Sequence, residues 1–101
     1  MNDSTQVLTS NDKRWIVAGP LTIENIVAVL AESTRRILPE SGEVDLRDVE
    51  PVDSSGVAIL LEWKRRALAE NKPISFQNIP PSMTSLAALY GVDELLMDTP
   101  A

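Results

Sequence analysis

The segment EVDLRDVEPVDSSGVAILLEWKRRALAENKPISFQ, residues 43–77, limits most tightly what this chain can become. Val44 and Leu46 alternate with charged neighbours, the period of a strand with one buried face. From residue 54 to about 71 apolar side chains recur at helical spacing, and NKP ends that helix with a proline just past its last turn. Residues 74–77 alternate again. A strand, a helix and a second strand in this order join by a right-handed crossover, which pairs the strands in parallel. The element order is therefore that of an α/β fold.

The flanking sequence extends the same alternation. Residues 6–9 form a short strand, SNDK a turn, and 15–18 a second strand that Gly19-Pro20 stops, since proline cannot donate to a ladder. Thr22 stands where an N-cap belongs. After it Ile23, Ile26, Val27, Leu30, Ile37 and Leu38 predict an amphipathic helix to about residue 38, ended by Pro39 and ESG. The strand 44–49 closes at Pro51; NIPPS loops into a last helix over 82–90, and 92–97 adds a short turn. With no repeat or internal linker, the reading is one domain over 1–101, its ordered core about 6–97. It is a small, mostly parallel-containing β-sheet packed with amphipathic helices.

Composition excludes more than it assigns. An apolar fraction of 44% over 101 residues is enough for a single core, and a chain much poorer in apolar residues would not offset its ordering entropy. A net charge of −6 argues against nucleic-acid binding, which depends on cations that neutralise phosphates. Lys64-Arg65-Arg66 is the one locally basic stretch. The absence of cysteine rules out disulfides, thiolate chemistry and Cys-type zinc sites. The polar start MNDSTQVLTSNDKR lacks the apolar stretch of a secretory signal, and runs such as VAILL fall far short of the ~20 residues of a spanning helix. A cytoplasmic protein without direct membrane insertion is expected.

Asp53-Ser54-Ser55-Gly56, at the junction of strand and helix, raises the question of chemistry. A serine hydroxyl attacks only when a base activates it, and the chain contains no histidine, no Ser-Lys arrangement and no glycine-rich phosphate loop. The expectation is no enzyme, no cofactor and no metal site. Glu94 and Asp98, four apart but without a histidine, read as solvated like charges. Two readings of the motif remain. Asp and Ser are preferred helix caps, and Gly56 permits a close approach in the first turn. The same geometry exposes a hydroxyl at a helix N-terminus, where the dipole tolerates a phosphate and a partner can read the residue.

The helix after the motif has an apolar arc wide enough to suggest two buried faces. Ile59 and Trp63, at its outer shoulder, are accordingly expected to contribute to a partner surface, with a place at the edge of the core as the alternative. Leu86 and Tyr90, four apart on the last helix, read as core, as does Trp15 in its strand.

The run VDLRDVEPVDSSGVAILLEWKRRA resembles the STAS domain, the family of anti-sigma factor antagonists and sulfate-transporter tails. Asp45-Leu46, then Asp53-Ser54-Ser55-Gly56, then an apolar helix follow the family pattern, and the likeness covers the chain from Trp15 to Leu96. Leu86-Ala87-Ala88-Leu89-Tyr90 with its following apolar turn is similar to the MlaB-like branch, the STAS subunits of phospholipid-transport ABC complexes that maintain outer-membrane lipid asymmetry. That resemblance implies a non-catalytic cytoplasmic subunit, peripheral to the inner membrane, bound to an MlaF-like ABC transporter ATPase. Asp53, Ser54, Ser55 and Gly56 would be its partner-binding loop and Ser54 the docking hydroxyl. Many MlaB-like chains carry Thr-Gly where this one has Ser54-Ser55. Asp-Ser-Ser-Gly is the form of anti-sigma antagonists that a kinase switches, and it makes Ser54 the position to be phosphorylated in that alternative.

Overall fold

The computed structural model describes residues 8–11 and 13–97. Its elements run β1 (Leu8–Asn11), β2 (Arg14–Leu21), α1 (Ile26–Thr34), β3 (Glu43–Val52), α2 (Ser54–Ala69), β4 (Ser75–Gln77), α3 (Pro81–Leu89) and α4 (Asp93–Met97). The sheet follows chain order, β1-β2-β3-β4. β1 pairs antiparallel with β2, whereas β2–β3 and β3–β4 are parallel. Because the order is monotonic, crossovers of one hand set α1 and α2 on the same face. Leu8, Trp15, Val17, Val44, Leu46 and Phe76 bury themselves under the helices, while Arg14, Ile16 and Arg47 point the other way and keep contact with solvent. This is a small α/β domain with a mixed sheet, as the alternation of elements predicts.

Both prolines assigned as strand stops lie inside strands. β2 continues through Gly19 and Pro20 to Leu21, and β3 through Pro51 to Val52. Among the described residues β1 pairs with β2 only as far as Val17, so Pro20 has no described partner on the β1 side. A register irregularity between Gly19 and Leu21 takes up the remaining mismatch with β3, and Gly19 adopts φ +89°, which costs glycine little. The extra length matters, because it carries both strands up to the Asp53 loop. The expected strand start at residue 6, the turn residue Asp12 and the Glu94–Asp98 pair involve positions outside the described residues.

The first helix is shorter than its periodicity predicts and is rolled differently. It begins at Ile26, not after Thr22, and ends at Thr34. The Thr22 side chain does not cap it. Instead Asn25 pins the turn, its Oδ1 accepting from the Thr22 amide at 2.9 Å and its Nδ2 donating to the Pro20 carbonyl at 2.7 Å. Val29 and Ser33 face inward with Leu38, whereas Ile23 and Val27 are 70% and 76% exposed. Arg66 of α2 closes the far end, donating to the carbonyls of Ser33 (2.9 Å) and Arg36 (2.6 Å), the first of which also accepts from the Arg36 amide at 3.1 Å.

Candidate functional site

Asp53 organises the site. Its backbone is extended and it caps α2, Oδ1 accepting from the Ser55 amide at 2.8 Å. The other carboxylate oxygen accepts from the Ile23 amide at 2.9 Å, across thirty residues of sequence. One side chain thus ties the start of α2 to the turn before α1. The Ile23 N–H above all holds the Asp53 carboxyl below the usual carboxylate range; desolvation works against it, and the Ser55 amide and hydroxyl and the Gly56 amide add to it. Asp53 is therefore a carboxylate at neutral pH.

Ser54, the first residue of α2, is exposed, and its hydroxyl bonds to none of the described residues. Ser55 is half-buried beneath it. Gly56 is buried against β2, where an added Cβ would lie 2.9 Å from the Leu21 carbonyl oxygen and 3.1 Å from the Leu21 Cβ. The close approach is what lets the first turn of α2 sit on β2, with Asp53 N–H reaching the Leu21 carbonyl at 3.3 Å. Gly56 thus shapes the loop from below without facing solvent. Beside the loop runs an open groove of about 500 Å³ lined by Pro20, Ile23, Glu24, Pro51 and Asp53.

The expected partner residues on α2 are not on the surface. Ile59 and Trp63 are 3% and 1% exposed. Trp63 donates its indole N–H to Ser33 Oγ of α1 at 2.9 Å and meets the edge of Trp15 with ring centroids 5.5 Å apart at 77°. The second face that the wide arc implied exists, and α1 covers it. Leu68, further along α2, is exposed. Lys64 inside the arc is reconciled with its surroundings by donating to the Ile74 carbonyl at 3.1 Å over the Phe76 ring. Tyr90 is a second correction: Leu86 packs on the core, but Tyr90 is 53% exposed at the end of α3.

The exposed apolar ridge lies elsewhere, on the turn and helix that Asp53 ties down: Ile23, Val27 and, half-covered, Leu30. Its sequence signal was present in Ile23 and Val27, four apart, alongside Ile26 and Val29, which together are too many apolar residues for one face. Asp45, the first residue of the Asp-Leu pair, is remote from the loop. It is buried at the opposite end of β3, where it accepts from the Arg47 amide (2.9 Å) and the Asn78 amide group (3.1 Å) and pairs with Arg14. Desolvation pushes its carboxyl up, yet those donors outweigh it and hold it below the ordinary value. Its work is structural.

No helix among the described residues is long and apolar enough to cross a membrane. A family model described as "Mlab, STAS domain" matches residues 5–97, most of the chain. No curated protein gives a match.

Proposed function

The chain belongs to the STAS family, and from that premise we propose that it is a non-catalytic docking subunit of MlaB type. On this reading it binds the cytosolic ATPase of a phospholipid-transport ABC complex at the inner membrane and supports the assembly and activity of that complex. STAS domains are generally non-catalytic, and the site offers a hydroxyl with no activating base. One observation carries the reading: an exposed Ser54 hydroxyl follows Asp53, whose carboxylate holds the Ile23 end of an exposed apolar ridge. A hydroxyl can lie against a partner at little desolvation cost. An ionised group there must shed its hydration, which costs several kcal/mol without a matched cation.

Titration of Ser54→Glu against the purified ATPase, with circular dichroism to verify folding, tests this. A severe loss of affinity in a folded protein is expected. Wild-type affinity would show that the motif is only a helix cap.

The second reading is an anti-sigma factor antagonist switched by phosphorylation. The observation favouring it is that Ser54 stands exposed at the N-terminus of a sixteen-residue helix, where a phosphate is tolerated. Stoichiometric phosphorylation of Ser54 by a kinase encoded beside the gene, with release of a sigma-factor regulator, would select it over the transporter role.

A further inference from the structure

The charges of this protein are segregated along the molecule. Between Trp15 and Thr34, between Asp48 and Trp63, and from Pro73 to Met97 there is no lysine or arginine. The ends of β2 and β3, the turn before α1 and the start of α2, all within the first two stretches, meet at the Asp53 loop. At the other end Lys13, Arg14, Arg35, Arg36, Arg65 and Arg66 are paired with carboxylates. Among the described residues Glu24, Asp48, Glu50 and Asp53 enter no such pair. Glu24 and Asp53 line the groove at Ser54, and exposed Glu50 precedes its Pro51 wall. Ile23, whose amide binds the Asp53 carboxylate, lines the same groove beside Glu24, with Val27 four residues further along. The Ser54 end therefore has an apolar centre with an acidic rim and no cation to neutralise it.

We propose that the ridge Ile23–Val27–Leu30 docks a cationic amphipathic segment of the partner protein, its apolar side chains on the ridge and its Lys or Arg residues on Glu24 and Glu50. The inference rests on the docking-subunit reading and adds the chemistry of the partner's surface. An anionic lipid headgroup or a nucleic acid is repelled by the same rim. Rim carboxylates of this kind act chiefly on the rate of encounter, whereas a charge at the centre of the contact acts on the lifetime of the complex. The roles of Glu24 and Glu50 are thereby separable from that of Ser54.

The experiment is stopped-flow association and dissociation of the full chain with the ATPase at several ionic strengths. Glu24→Lys combined with Glu50→Lys is expected to slow association about tenfold or more at low salt, a difference that closes as salt screens it. Val27→Ser is expected to speed dissociation about tenfold with little change in association, and Ser54→Glu to speed dissociation without slowing association. Charge reversal that leaves the association rate and its salt dependence unchanged, while Ser54→Glu and Val27→Ser still weaken the complex, overturns the cationic partner and leaves the docking reading standing. Loss of effect in all the variants, or a wild-type chain that forms no complex with the ATPase, overturns both. Circular dichroism of each variant separates these results from unfolding.

Discussion

Trp63→Ala tests whether α2 and α1 form one core or whether α2 holds its outer shoulder ready for a partner. The indole is 1% exposed, stacked edge-on against Trp15 and hydrogen-bonded to Ser33. Truncating a buried aromatic of this kind costs about 3–5 kcal/mol once the cavity is included. Within that, the aromatic pair contributes about 0.5–1.5 kcal/mol and the lost indole hydrogen bond about 1 kcal/mol. A domain has a total stability of about 5–15 kcal/mol, so the alanine variant should be near its folding threshold. Trp63→Phe, which keeps a ring but loses the N–H and part of the volume, should cost about half as much. Urea denaturation followed by circular dichroism measures both, and titration of the folded fraction measures partner affinity. The expected result is a large loss of stability with affinity of the folded protein unchanged. A Trp63→Ala protein destabilised by less than about 1 kcal/mol and weakened in partner binding would refute the packing argument.

Gly56→Ala should destabilise by about 1–3 kcal/mol, because its Cβ meets the Leu21 carbonyl oxygen at 2.9 Å and backbone must move; wild-type thermal stability would contradict this. Asp53→Asn keeps a capping oxygen but leaves the Ile23 amide facing a donor, so stability at neutral pH should fall. The sign of the pH dependence follows from the lowered carboxyl of Asp53: its contribution is complete above the unfolded value of about 4 and disappears as pH falls through the folded one. Urea midpoints between about pH 7 and pH 3 should therefore drop less steeply in Asp53→Asn than in wild type; parallel curves would refute the assignment. Ser54→Thr should fold and bind like wild type, since it keeps the hydroxyl, and the purified domain should hydrolyse neither ATP nor esters. Turnover abolished by Ser54→Ala would overturn the non-catalytic reading.

Much of this was legible in the residues. Alternation around Val44 and Leu46, helical spacing after Ser54 and the turn at Lys72-Pro73 depend on local periodicity, and they set the α/β order and the parallel pairing. So did the cap, because Asp at a strand–helix junction has one nearby use for its carboxylate, the Ser55 amide. The second use, the Ile23 amide thirty residues away, has no local signature. Nor does the roll of a helix about its axis. Periodicity shows that α1 and α2 each carry more apolar surface than one face needs, but which part is covered depends on how they lean on each other over the sheet. Packing buried Ile59 and Trp63 of α2 and left Ile23, in the turn before α1, and Val27 of α1 in solvent. Pro20 was likewise decided at long range, since a strand tolerates proline only where no neighbour needs its amide, and local sequence does not show that pairing. Local pattern determined which elements form; contacts between distant elements determined which faces remain open.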